Sequence, residues 1–383
     1  MPLASKGKLE GFGESIFSTM SRMAQEHGAI NLSQGFPEFN PPQDLLNAVS
    51  EAMNAGLNQY APMPGYLPLK QIVAERCQQE LGYSLDPETE ITIVPGATAG
   101  IYCAIQALVH PGDEVIIIEP AYDCYAPAVL MAGGTVKSVA MNPQTGEIPW
   151  DQVQTLVNQN TRLLMVNTPH NPTGWALAEQ DWQEIERIVE AGDLLLLSDE
   201  VYEYMVFDGL KHLSAAARPA LKDRSVRLSS FGKTYHATGW KMGYISAPAS
   251  LTQRIREVFQ FMAFSSNMPM QLGLANFMKQ HPEHEAEVAD LYEKKRDLLA
   301  SALADSRFRI LPCQGSYFQL VDYSDISHEP DRMFAEKLVH QAGVASIPLS
   351  PFFTQSSSST LLRLCFAKRE STLVQAAERL CKI

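Results

Sequence analysis

Between residues 90 and 247 the chain alternates short apolar runs with longer stretches of helical spacing, and that alternation leaves few architectures open. ITIV (91–94), EVIII (114–118), TVKSVA (135–140), RLLMV (162–166), LLLL (194–197), VRLSS (226–230) and GYISA (243–247) read as strands. Several are apolar without interruption, the pattern of strands buried on both faces of a mainly parallel sheet. Between them, ATAGIYCAIQALV (97–109) and AEQDWQEIERIVEAG (178–192) carry helical spacing. Strands alternating with helices predict an α/β fold, with a mainly parallel central sheet flanked by helices.

A chain of 383 residues exceeds what one hydrophobic core usually serves. The first forty residues and the stretch beyond about 270 lack the alternation. One helical pattern covers roughly 269–304, interrupted at His281-Pro282, and short strands mix with helices after it. The expected organisation is an N-terminal arm (1–40) that joins a small α+β domain, a large ligand-binding domain (41–270) and a C-terminal small domain (271–383). The two termini are expected to pack together. TQSSSST (354–360) reads as a polar loop, and HPEHE (281–285), a run of charges, as a solvated helix surface with no metal.

Composition narrows the partners. The net charge is −13 and no basic run stands out, which argues against nucleic acid, whose binding rests on Lys and Arg neutralising phosphates. A local site can still be positive and hold a small anion. No apolar run reaches membrane-spanning length, and MPLASKGKLEGFGES at the start has no signal-type apolar stretch. The six cysteines are scattered without a C-x-x-C pair, as expected of free, mostly buried thiols in a reducing compartment. A cytoplasmic enzyme is the expectation.

P-loop, zincin and hydrolase-elbow motifs are absent, and no G-x-G-x-x-G opens a helix after a strand. In mainly parallel sheets ligands gather where the carboxyl ends of strands meet loops. The chemistry-bearing residues of this chain fall there. PGATAG (95–100) places Gly96, Ala97 and Thr98 at a helix N-terminus, where backbone N–H groups can hold a phosphate; by itself the motif reads equally as a helix start with small caps. NTPHNPTG (167–174) taken alone is a turn. SDEVY (198–202) follows a wholly apolar strand, and an acid there is costly unless a cation meets it. Asp199 is therefore a site candidate, with Tyr202 able to share its ligand, while Glu200 reads as a solvated neighbour. SSFGKTYHATGWKMGY (229–244) sets Lys233 and Lys241 among small, hydroxylated and aromatic residues. A desolvated lysine has a lowered pKa and attacks carbonyls. Phosphate site, acid and amine together ask for a ligand with a phosphate, an aldehyde and a basic ring nitrogen, which describes pyridoxal 5'-phosphate. Arg363 interrupts the apolar run LLRLCF, where a guanidinium needs an anion: a bound carboxylate or, alternatively, a structural ion pair.

NLSQGFPEF (31–39), NQYAPMPG (58–65), NTPHNPTG, SDEVYE (198–203), SSFGKTYHATGWKMGY and LLRLCFAK (361–368) span nearly the whole chain. Together they resemble the fold-type-I, class-I aminotransferases, and within them the branch of methionine and kynurenine (glutamine) aminotransferases. The resemblance implies that Lys233 joins the cofactor aldehyde as a Schiff base and later moves the substrate proton. It implies that Asp199 pairs with the pyridinium nitrogen, that Tyr202 and Asn171 bond the phenolic oxygen, and that Tyr122 stacks on the ring. Ala97, Thr98, Ser230 and Lys241 would hold the phosphate, with Tyr60 reaching it from the other subunit of a homodimer. Arg363 would clamp the substrate carboxylate beside Asn171 and Gly35. Lys241 stands where many members have arginine, and G-A-T where others have a serine, so both departures fall on the phosphate contacts.

Substrate choice is written more faintly. Phe17, in Ser15-Ile16-Phe17-Ser18, and Phe264 from a second subunit are candidate pocket walls, and each reads equally as core. Apolar, slim walls favour a thioether or aromatic side chain, with Arg22 the remaining candidate for a second carboxylate. The expected activity is amino transfer from methionine, aromatic amino acids, kynurenine or glutamine to a 2-oxo acid, with ping-pong kinetics. A cysteine-conjugate carbon–sulfur β-lyase and a non-catalytic binding protein on the same scaffold are the alternatives.

Overall fold

The structure, a computed structural model, describes residues 7–355 and 359–383. Each apolar run becomes a strand of one seven-stranded sheet. Its spatial order is Ile91–Val94, Gly243–Ser246, Ser225–Ser229, Leu195–Asp199, Thr161–Asn167, Glu114–Glu119, Thr135–Ala140. Only Gly243–Ser246 runs antiparallel to its neighbours. The continuous runs are buried on both faces, as their lack of alternation requires, whereas the edge strand Thr135–Ala140 is partly open.

Helices cover both faces. Ala97–Leu108, lined by Ile101, Ala104 and Leu108, packs with Val115, Leu197 and Leu228 of the sheet. On the opposite face Glu179–Ala191 sets Trp182, Ile185 and Val189 against Ile116, Leu164 and Leu196. The helical pattern expected over 269–304 resolves into Met268–Gln280 and His284–Ala302, with Pro282 in the break.

A second core joins the two ends of the chain. Met20, Ala24 and Leu32 share one apolar cluster with Val288, Phe334, Leu364 and Leu373. There a four-stranded antiparallel sheet runs in the order Ile347–Pro348, Leu361–Cys365, Phe318–Asp322, Arg309–Ile310. Ile30–Asn31 pairs in parallel with Val344–Ala345, stitching the N-terminal segment to this part of the fold. Of the polar segment 354–360, residues 356–358 lie outside the described residues.

The histidines of HPEHE are not a solvated face. His284 Nε2 lies 3.1 Å from the Thr234 carbonyl, and its ring stacks on Tyr235 with centroids 5.0 Å apart. His281 stacks on Phe277 and faces Asp44 at 3.3 Å. Charge density in the sequence hid two aromatic contacts. Among the described residues no helix is long and apolar enough to cross a membrane. The cysteines are free, and all but Cys381 are buried.

Candidate active site

A cavity of about 340 Å³ opens where the carboxyl ends of the central strands meet the segment around Gly35. Its walls carry Phe17, Gly35, Ala97, Thr98, Tyr122, Asn171, Asp199, Tyr202, Ser230, Lys233, Lys241 and Arg363. Two expected residues are not brought to it within one chain. Tyr60 and Phe264 meet each other edge to face at 5.2 Å on the surface, where they are 83% and 50% exposed.

Asp199 ends the strand Leu195–Asp199, in register with Asn167 on one side and Leu228 on the other. The Asn167 amide donates to its backbone carbonyl at 2.8 Å and accepts from Asn171 N at 2.8 Å, which folds NTPHNPTG back over the strand ends. The buried Asp199 carboxylate accepts from Tyr125 Oη at 2.6 Å and from Val201 N at 3.3 Å. Burial pushes its pKa up to about 6, although those bonds and the Lys233 charge pull the other way. Such a carboxylate favours a cationic ligand.

The opposite end of the cavity suits an anion. The 12-residue helix Ala97–Leu108 begins at Gly96, φ 86°, with no side chain capping its first turn. Its free N–H groups and dipole face the cavity at Ala97 and Thr98. A Cβ on Gly96 would meet Lys241 Cε at 3.2 Å and Nζ at 3.4 Å, so glycine lets the ammonium lie close over the helix start. Ser230, next to the strand Ser225–Ser229, completes this end.

Lys233 lies on the short helix Phe231–Thr234, half-buried, with its exposed part lining the cavity. Its amine donates to Tyr317 Oη at 2.9 Å and sits 5.5 Å from the Tyr202 ring centroid. Burial, with Lys241 and Arg363 adding to it, lowers its pKa to about 8, against the opposing pull of Cys365 and Asp199.

Arg363 sits mid-strand in Leu361–Cys365 and is 1% exposed. It donates to Asn171 Oδ1 at 2.6 Å and to the Ser33 carbonyl at 2.9 Å, and its guanidinium lies 3.8 Å from the Phe318 ring centroid. Its Nε has no partner, and among the described residues no carboxylate forms an ion pair with it. Burial accordingly pulls its pKa down to about 10. Arg22, in contrast, is exposed and held by Glu14 at 2.6 Å, away from the cavity. The aromatic rings beside Arg363 are Phe17, Phe318 and Phe352, with centroids 5.0, 3.8 and 5.4 Å from its guanidinium.

Glu200 is not the solvated neighbour that its sequence position suggests. It is wholly buried and accepts from Arg227 Nε at 2.8 Å, Ser198 Oγ at 2.8 Å and Ala215 N at 3.0 Å, with His212 Nε2 at 2.9 Å. Although burial alone would raise its pKa, the Arg227 charge and the bonds from His212 and Ser214 hold the carboxyl at about 2. Arg227 also meets Glu203 and Tyr244. Alternation along the chain sends Asp199 and Glu200 to different sides, and the second side carries a buried ion-pair network. Tyr125 and Tyr317 were missed altogether. The signal for Tyr125 was its place three residues after Tyr122 on a helical turn, where the two rings meet edge to face at 5.8 Å. Tyr317 sits just ahead of the strand Phe318–Asp322, and nothing local marks it as touching a lysine 84 residues away.

Comparison with known proteins bears on this constellation. The sequence matches the family described as aminotransferase class I and II over residues 27–380. It is 46% identical over 379 residues to the methionine aminotransferase of Escherichia coli (strain K12), covering 99% of this chain and 98% of that one. It is 32% identical over 409 residues to kynurenine–oxoglutarate transaminase 1 of Rattus norvegicus, covering 98% and 97% of the two chains. The fold matches the crystal structure of YbdL from Escherichia coli, described there as having a methionine aminotransferase function, with a TM-score of 0.97 at 46% identity over 100% of each chain.

Proposed function

Because the chain belongs to the class I and II aminotransferases, and is thus a pyridoxal-phosphate-dependent transaminase acting on amino acids and 2-oxo acids, we propose that methionine is its preferred amino donor. Aromatic amino acids, kynurenine and glutamine are related donors. The observation that carries this reading is the Arg363 end of the cavity. One buried guanidinium without an acidic partner stands beside an aromatic wall. Among the described lining residues the cations are Lys233, Lys241 and Arg363, which leaves none for a second substrate carboxylate. The names of the relatives point the same way.

The residues fit the cofactor by the chemistry of their donors. The uncapped helix start at Ala97 and Thr98, with Lys241 and Ser230, suits its phosphate. Asp199 suits a protonated ring nitrogen, and Tyr202 and Asn171 supply donors for the phenolic oxygen. Tyr122 offers a ring face. When bound, pyridoxal phosphate supplies an aldehyde for the amino group and a protonated ring that accepts the electron pair left at the donor's α-carbon.

The protein groups divide the remaining work. Arg363 grips the α-carboxylate as a fork, with Asn171 and the Gly35 segment fixing its orientation. Lys233, with its lowered pKa, would remove the proton from the substrate α-carbon as general base and, as general acid, deliver it to the carbon derived from the cofactor's aldehyde. Asp199 stays ionised against a cation and so keeps the proton on the ring nitrogen. Gln34, Gly35 and Phe36 line the cavity beside the Arg363 clamp. A single carboxylate clamp serves donor and acceptor in turn, so the kinetics are ping-pong. The exposure and mutual contact of Tyr60 and Phe264 support a role for them in the site of a second copy, with a homodimer as the active unit and the cytoplasm as its location. Sedimentation of the holoenzyme as a monomer would sink that last point.

A panel of amino donors scored for 2-oxo acid product tests the substrate reading. Methionine and aromatic donors should exceed aspartate in kcat/KM by on the order of 10²-fold. Aspartate as the best donor overturns it, and pyruvate with ammonia from a cysteine conjugate, in place of a new amino acid, turns it to a carbon–sulfur lyase.

Arg363→Ala should lower kcat/KM for donor and acceptor alike, by on the order of 10³-fold, because two charge-assisted bonds are lost. Arg363→Lys restores the charge without the fork, and steady-state kinetics should leave it at least about tenfold below the wild type.

A further inference from the structure

Among the described residues the Lys233 amine has one hydrogen-bond partner, Tyr317 Oη at 2.9 Å. That hydroxyl also donates to the Gly35 carbonyl at 2.6 Å. A phenol has a single proton, and here it is committed to Gly35, so towards Lys233 the oxygen can only accept. The phenol stays protonated, since burial holds its pKa well above the ordinary tyrosine value. One N–H of the amine is thereby fixed on Tyr317, and its lone pair is turned elsewhere. A neutral acceptor does this without the strong pull towards ammonium that a carboxylate would exert.

The tyrosine is itself held rigidly. Its ring lies among Tyr202, Tyr292 and Phe318, with centroids at 5.1, 5.6 and 4.8 Å. The preceding turn is fixed by Gly315 N donating to the Gly174 carbonyl and Ser316 N to the Met205 carbonyl, both at 2.9 Å. A Cβ on Gly315 would come within 2.6 Å of the Met205 carbonyl, so this approach admits glycine alone. At the other end of the relay, a Cβ on Gly35 would strike the Phe318 ring at 2.6 Å, so this cavity-lining segment lies flush on the platform.

We propose that Tyr317 is a positioning residue for Lys233: it orients the free amine for proton movement and ties that orientation to the cavity-lining segment through Gly35. The inference rests on the role proposed above for Lys233.

Tyr317→Phe keeps the ring and removes the acceptor. In the holoenzyme kcat should fall about tenfold, with the donor KM within about twofold of wild type. The isotope effect with a donor deuterated at the α-carbon should rise as proton transfer becomes slower. In the full chain freed of cofactor, acetic anhydride labelling of Lys233, mapped by mass spectrometry, should reach half-maximum at a lower pH, because the lost acceptor had favoured the ammonium. A wild-type kcat and isotope effect, or a loss confined to KM or melting temperature with the labelling midpoint unmoved, overturns the proposal. If the variant does not fold, 3-fluorotyrosine at position 317, a weaker acceptor, should move the midpoint the same way, and an unmoved midpoint again overturns it. Lys233→Ala separates the two levels. If it still transfers amino groups, the reading of Lys233 fails. If it is inactive while Tyr317→Phe behaves as wild type, only the positioning role fails.

Discussion

Lys233→Ala is expected to abolish amino transfer, lowering kcat by on the order of 10⁴-fold or more, whereas Lys241→Ala should keep turning over and lose mainly cofactor affinity. The two lysines are close in sequence yet differ in their surroundings. Lys241 is exposed over the helix start, where a charge serves an anion. Lys233 is enclosed between Tyr202 and Tyr317, with no carboxylate in contact among the described residues, so its ammonium is poorly solvated and its pKa falls to about 8. The reactive species is the neutral amine, whose share grows as pH rises through that value and is small below it. Labelling of Lys233 in the cofactor-free chain should therefore reach half-maximum near pH 8, well below the 10.5 of an ordinary lysine. Sustained turnover by Lys233→Ala would remove the amine from the mechanism.

The fold was legible because its signals are local. Uninterrupted apolar runs such as ITIV can be buried on two faces only inside a helix-covered sheet, and Ile91–Val94 is a buried strand of that sheet. Asp199 and Arg363 were legible for a related reason: a charge inside an apolar run is costly without a partner, and both stand at the cavity. The same rule applies to Glu200, which its place beside Asp199 presents as a solvated neighbour but which is wholly buried. Its partner Arg227 lies 27 residues on and reaches it only through the sheet, so sequence distance concealed the pairing. Tyr125 and Tyr317 were hidden differently. A tyrosine in a core segment is unremarkable until its hydroxyl is seen to end on Asp199 or Lys233. Tyr60 and Phe264 lie on the surface, outside the cavity of their own chain, and nothing in the intrachain packing marks them as site residues.

Asp199→Asn should separate stability from function. The carboxyl is raised from 3.8 to about 6 in the folded chain, with burial the chief cause. Between those values the native state holds a proton that the unfolded chain releases, so this group's contribution is fully present below 3.8 and is lost as pH rises through about 6. Above that, the buried charge costs the cofactor-free protein about 3 kcal/mol. An amide of the same shape can still accept from Tyr125 and carries no such charge. The cofactor-free variant should consequently melt no lower than wild type at pH 8. Function should move the opposite way. Asparagine cannot hold a proton on the ring nitrogen, so kcat should drop by on the order of 10³-fold, and added cofactor should raise the melting temperature by less than in wild type. If the variant melts lower without cofactor yet keeps its turnover, Asp199 is a structural acid, and the electrostatic logic of the cavity fails at its centre.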